Sequence, residues 1–490
     1  MRSVVLLLTV LFLVVGGARA HEDSGFDTHF ADHTLRVDFF QFGDGATEMV
    51  GLDRLIRQGV WAGPTTNLIG ASAYGRHAVK VVDQATGDTL FERGFDSYFG
   101  EYRTSKAALE GAMKAYHNTV LVPFPRHPVR LIIEDRRVGV EPAILLAHDV
   151  DPTSIEIASE PTPPDAMVIE AHRGGEPHST LDIAIVGEGY RADEVTTFRA
   201  DLARFTSVLL GQEPYHSNSD RIAVRGVLLP SAESGADEPT MGRYRSTTLG
   251  VTFNSLGSER YMLTEDNRSL RDIAGAVPYD TLVIMVNHDR YGGGGIYNAY
   301  CTFTAHSEWA EYLLLHEFGH SFAGLADEYY TSDVAYSDFY PPGTEPAEAN
   351  ITALTDPDRL KWRHLVTPGT PIPTPWNKAA FDERSNAAQK LRREINERLA
   401  QANRDGASAA EIAALEMERD ELARTTSEWV KDFLAATANA DRVGAFEGAG
   451  YASQGLYRPA VDCLMFRRGV QPFCPVCEEA VSNVIRSYAP

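Results

Sequence analysis

His316, Glu317 and His320 form one H-E-x-x-H run inside EYLLLHEFGHSFAGLADEYY, residues 311–330. On a helix, positions four apart lie one turn above each other, so both imidazoles can reach one metal ion while Glu317 stands beside the water that such an ion activates. That is zinc-peptidase chemistry, with Glu317 as general base. Chance alone puts H-E-x-x-H in roughly a few per cent of chains of this length, so the flanking residues must decide. Tyr312, Leu313, Leu314 and Leu315 give an apolar lead-in suited to a buried helix, and Gly324 falls where that helix must end. Asp327, three residues beyond the glycine, is the expected third ligand, with Glu328 as the fallback. The competing reading leaves both acids capping a loop. One catalytic Zn2+ is the expected cofactor.

Further along, Cys463-Leu464-Met465 offers a candidate for the tight methionine turn that lies beneath the metal in metzincin-type zincins, with Met465 as that residue. Tyr457 is a candidate hydrogen-bond donor to the reacting oxyanion, or else a core tyrosine. The four cysteines, at 301, 463, 474 and 477, are expected as disulfides stapling the C-terminal segment; a structural zinc or a redox pair also suits C-x-x-C with a third Cys nearby. The glycine-rich VGAFEGAGY, residues 443–451, lacks the Lys of a phosphate loop.

These residues need elements to hold them. Thr34 to Phe42 alternates around Leu35, Val37 and Phe39, and further strands are expected at 78–83, 89–95 and 129–134, so residues 21–150 read as an all-β sandwich. Its role would be structural or substrate-presenting. Residues 151–180, with Pro161, Pro163 and Pro164, read as a linker. From 181 to 490, apolar runs at 181–186, 221–229 and 281–286 alternate with helical patterns, which predicts a mainly parallel α/β sheet. The segment Ile296 to Thr304 after Gly292–Gly295 is a candidate edge strand beside the cleft, where extended substrate backbone pairs. Residues 381–434 switch to an Ala, Glu, Arg and Leu composition with two apolar stripes, the pattern of an inserted helical hairpin. The fold class is therefore α+β and multidomain: an N-terminal all-β sandwich, then a metzincin-like zincin α/β catalytic domain carrying the hairpin.

MRSVVLLLTVLFLVVGGARA opens the chain with Arg2, an apolar run from Val4 to Val15 and Ala18-Arg19-Ala20, which is the pattern of a signal peptide over residues 1–20. The mature protein then begins at His21 and is secreted or periplasmic, without stable membrane insertion. Losing Arg2 and Arg19 leaves 43 basic against 68 acidic residues and moves the formal charge from −23 to −25. Such a surface repels nucleic acid and anionic lipid. Protein or peptide substrate is the expected partner.

HEFGHSFAGLADEYY, GAFEGAGY, GLYRP and DCLMF followed by FCPVC together resemble the M64 peptidases, the igalysin or IgA-peptidase family of zinc metallopeptidases. TLRVDFF, GVWAGPTTNLI and LVPFPRHPVRLIIE are similar to the β-sandwich domain N-terminal to the catalytic unit in that family. The resemblance implies zinc on His316 and His320, Glu317 as general base, Asp327 completing the metal site and Met465 as the Met-turn residue. The hairpin at 381–434 matches no feature of the family. The expected function is an exported zinc metalloendopeptidase. Its rivals are a catalytically silent exported binding protein on the same scaffold and a zinc amidase acting on a non-protein substrate.

Overall fold

The computed structural model describes residues 25–70, 74–137, 140–159, 165–331, 340–341 and 343–489, so the expected signal peptide lies outside the described residues. The first unit is β-rich. A short helix α1 (Phe26–His29) leads into β1 (Phe30–Gly43), followed by β2 (Glu48–Arg57), β3 (His77–Asp83) and β4 (Thr89–Phe95). Two short helices, α2 (Tyr98–Tyr102) and α3 (Lys106–Leu109), precede β5 (Lys114–Pro125), β6 (Val129–Asp135), β7 (Ala143–Val150) and β8 (Ile157–Ala158). Strand order is β5-β1-β2-β8 in one sheet and β4-β3-β6-β7 in the other. The period-2 alternation aims Leu35, Val37 and Phe39 of β1 at Val79 and Val81 of β3 and at Leu131 and Ile133 of β6, so the two sheets share one core.

The second unit is built on one six-stranded sheet. Its elements run β9 (Met167–His172), β10 (Leu181–Glu188), α4 (Val195–Gly211), β11 (Ile222–Leu228), α5 (Asn267–Ala274), β12 (Thr281–Val286), β13 (Gly293–Ile296), β14 (Tyr300–Thr304) and α6 (Ala310–Ala323). There follow α7 (Lys378–Arg404), α8 (Ala409–Ala436), the hairpin β15 (Phe446–Ala449) and β16 (Ala452–Arg458), and α9 (Pro475–Tyr488). Sheet order is β13-β14-β12-β10-β11-β9, with the four inner strands parallel and both edges antiparallel. Every residue of β10 and of β12 is buried, as strands covered on both faces must be, and Asp182 and Glu188 of β10 are the charged residues among them. Ile183 and Ile185 face the layer of α4, α6 and α9, while Ala184 and Val186 face α5 and the aromatic rings of Tyr98, Phe99, Tyr102 and Tyr116 from the first unit.

Three expectations change. The stretch 151–180 is not one linker, because Ile157–Ala158 pairs with β2 and Met167–His172 supplies an edge strand of the large sheet. The edge nearest α6 is the glycine segment Gly293–Ile296 itself, and Tyr300–Thr304 lies one strand further in. The cysteines form no disulfide: all four are buried free thiols. Residues 378–436 do form a helical hairpin, and Ser408 with Glu411 makes a capping box at the start of α8. Its outer stripe is only partly covered, Leu391 being 43% exposed, while its root, Phe381, packs on Trp429, Phe433 and Phe466. No helix among the described residues is long and apolar enough to cross a membrane.

Candidate active site

Helix α6 carries His316, Glu317 and His320 along the sheet beside β13 and β14. It ends at Gly324, whose left-handed φ of +59° a side chain would strain, and the Leu325 N–H turns back to the Gly319 carbonyl. That reversal brings Asp327 to the histidines. His316 Nε2 and His320 Nε2 lie 3.1 and 3.2 Å from Asp327 Oδ1, and 3.2 Å from each other. His316 Nδ1 lies 3.2 Å from the Leu464 carbonyl and His320 Nδ1 2.6 Å from the Leu325 carbonyl. A carbonyl only accepts, so these bonds place a proton on each Nδ1 and make Nε2 the nitrogen that carries the lone pair in the neutral, metal-binding form of each ring. Three electron pairs then converge within hydrogen-bond distance, and Asp327 Oδ1 has no hydrogen-bond donor. Donors each ~2.0–2.1 Å from a tetrahedral Zn2+ would sit about 3.3 Å apart, close to what is seen. The set fits the metal.

Buried neighbours hold the third donor. Asn350, fully buried, accepts from the Ala326 N–H at 2.8 Å and donates to the Ala326 carbonyl at 2.9 Å, clamping the chain just before Asp327. Gly450 N–H donates to the Asp327 carbonyl at 2.9 Å, and the Tyr451 hydroxyl donates to Asp327 Oδ2. The glycine-rich 443–451 run thus serves as the β15–β16 turn that grips Asp327. Glu328 points the other way, towards Cys477 at 3.2 Å, as adjacent side chains on extended backbone must. It does not face the histidines, so the fallback ligand is displaced.

Electrostatics follow from this packing. Burial works against a charged His320, yet Asp327 outweighs it and raises the imidazole to about 9. Burial likewise opposes the Asp327 carboxylate, and His320 and His316 hold it well below the usual carboxylate range. Burial pushes the Glu317 carboxyl up, with His316 and His320 pulling it back.

A cavity of about 600 Å³ opens over the three donors and Glu317. Tyr74, Arg76 and Arg136 of the first unit line one side, and Arg260, Tyr329 and Tyr451 line another. Arg260 donates to the Tyr329 hydroxyl at 3.0 Å, and the Tyr329 ring stacks on His316. β13 can cross so close to α6 because it is glycine: a Cβ on Gly295 would meet the Glu317 carbonyl at 2.5 Å. Its outer edge is already bonded at Gly293 by the 260–262 segment, which shortens the edge expected for substrate pairing.

Tyr457 does not line this cavity; its backbone bridges Thr352. Sequence reasoning passed over Tyr451, Arg260 and Asn350. Tyr451 alone left a trace, as the last residue of GAFEGAGY. Met465 lies against α6, its Sδ 3.0 Å from where a Gly319 Cβ would be, so only glycine lets the helix settle on that sulfur.

No curated protein matches the chain. The family model of the peptidase M64 N-terminus matches residues 25–141, and that of IgA peptidase M64 matches residues 169–485. The second match takes in the α6 donors, the Asp327 clamp and the Met465 turn, and with it more than half of the sequence, so the chain belongs to the IgA peptidase M64 family.

Proposed function

We propose that this peptidase is an exported zinc-dependent metalloendopeptidase of metzincin-like architecture, in which His316, His320 and Asp327 hold the ion and Glu317 is the general base. The observation that carries the reading is the convergence of two imidazole nitrogens and one carboxylate oxygen at 3.1–3.2 Å from one another in the floor of the cavity. When bound, zinc supplies Lewis acidity at the scissile carbonyl and makes water a stronger acid. Glu317, in the turn between the two histidines, accepts the proton of the attacking water on its carboxylate and returns it to the leaving amine. Its raised affinity for the proton suits both halves of that task. Arg260 and the hydroxyl of Tyr329 line the same cavity and supply the positive field for a tetrahedral oxyanion, the role considered for Tyr457. Met465 beneath Gly319 serves as the Met-turn residue.

The first unit contributes Tyr74, Arg76 and Arg136 to the cavity wall, which favours a substrate-presenting part for it over a passive one. Residues 1–20 direct export. Immunoglobulin, which the family description mentions, is one polypeptide among the candidate substrates. The test is a cleavage profile of the mature protein on a peptide library, with and without a zinc chelator. Cleavage that stops with chelator and returns with added zinc is expected; cleavage indifferent to chelator overturns the reading.

A further inference from the structure

Behind the site, four chemically active side chains lie together that hydrolysis does not use. Glu328, Cys463, Cys474 and Cys477 are all at most 4% exposed, and their ligand atoms lie within 4.8 Å of one another. Cys463 Sγ is 3.8 Å from Cys477 Sγ, and Glu328 Oε1 is 3.2 Å from Cys477 Sγ and 4.0 Å from Cys474 Sγ. Sulfurs ~2.3 Å from a tetrahedral Zn2+ sit about 3.8 Å apart, and a sulfur and a carboxylate oxygen about 3.5 Å. The cluster has that size. Glu328 Oε2 is buried without a hydrogen-bond partner. Burying a carboxylate among thiols is costly unless a cation joins them.

Two other groups of potential ligands make an instructive contrast. Asp38, Asp53 and His117 are neutralised by Arg36 and Arg54, and Glu48, His77 and Asp135 by Arg103 and Arg76. Around the cysteines, by contrast, the described residues place no Lys or Arg within ion-pair distance of Glu328. Arg458 is the nearby cation: fully buried and packed over the Phe466 ring at 4.0 Å, it acts on Glu328 and Cys463 through its field alone. Three thiolates and a carboxylate around a dication carry net charge −2, which that guanidinium partly offsets.

We propose that Glu328, Cys463, Cys474 and Cys477 bind a structural zinc ion, closed by four protein ligands, distinct from the cavity site. On binding, the thiols release their protons to solvent and the sulfurs become the donors. The ion ties together the two segments that shape the cavity floor. Glu328 follows Asp327 and its N–H donates to the Met465 carbonyl at 2.9 Å, while Leu464, beside Cys463, accepts from His316. One buried ion therefore fixes where Asp327 and His316 point.

The experiment uses the mature chain carrying His316→Ala and His320→Ala, so that the result does not depend on the catalytic reading. Elemental analysis should find one zinc per chain. After exchange with Co2+, a thiolate-to-cobalt charge-transfer band should appear in the near ultraviolet, and adding Cys474→Ser should abolish both signals. If the Cys474→Ser chain does not fold, the cobalt spectrum of the histidine double variant decides alone. A metal-free double variant without the band, or a peptide map showing a Cys463–Cys477 disulfide, overturns the proposal.

Discussion

At the scale of single residues, the site depends on how Asp327 is held more than on which acid is chosen. Its Oδ2 takes the Tyr451 hydroxyl and its backbone is gripped by Gly450 and Asn350, so Oδ1 is left to the histidines. Tyr451→Phe should lower zinc affinity about 10- to 100-fold, the usual cost of losing an outer-shell partner. Tyr457→Phe should leave it unchanged. Competition with a chromophoric chelator measures both, and equal losses would show that Tyr451 has no special part. The H-E-x-x-H residues were legible in the sequence because their spacing is set by one helix. Tyr451 was not, since its approach to Asp327 spans 124 positions of chain and no periodicity encodes that.

At the scale of elements, the parallel sheet was legible because strands covered on both faces must be mainly apolar. Edges were harder. Met167–His172 sits in a polar, proline-containing stretch, and Gly293–Ile296 is glycine because α6 presses on it, so neither looks like a strand. The hairpin's apolar stripe is helical, and its root belongs to the core of the domain that carries it. Phe381 is in ring contact with Trp376, Trp429, Phe433 and Phe466, one residue from Met465, so excising 381–434 removes part of the domain core. Phe381→Ala should cost about 3–5 kcal/mol of stability, whereas Leu391→Ala on the exposed stripe should cost under about 1 kcal/mol. Urea unfolding of the two variants compares them, and similar losses would contradict a core root. The start of β12 gives a pH prediction. Burial and the neighbouring Asp182 raise Asp280 to about 8, against an ordinary value near 3.8. The folded state then holds the proton more tightly than the unfolded one, so this contribution is full below pH 4 and is lost as pH rises through 8. Asp280→Asn should therefore be more stable than wild type at pH 9, by on the order of a few kcal/mol, and show little difference at pH 4. A parallel fall of both proteins between pH 4 and 9 would reject it.

At the scale of the whole molecule, the two units are joined through the site. The Asp96 N–H donates to the Tyr297 carbonyl at 2.9 Å and Asn298 donates to the Gly94 carbonyl at 2.7 Å, while Arg36 pairs with Asp272. Tyr98, Phe99, Tyr102 and Tyr116 cover one face of the large sheet. A chain beginning at residue 165 should thus expose that face and aggregate; a monomeric, active fragment by size-exclusion chromatography would show that the first unit is dispensable. The central claim, that Glu317 moves the proton at a metal held by its neighbours, is tested most directly by Glu317→Gln in the full mature chain, measuring zinc content and peptide hydrolysis together. Zinc should stay at the wild-type level while kcat falls by about three or more powers of ten, since the donors survive and the proton acceptor does not. Hydrolysis near the wild-type rate with zinc in place would contradict the account.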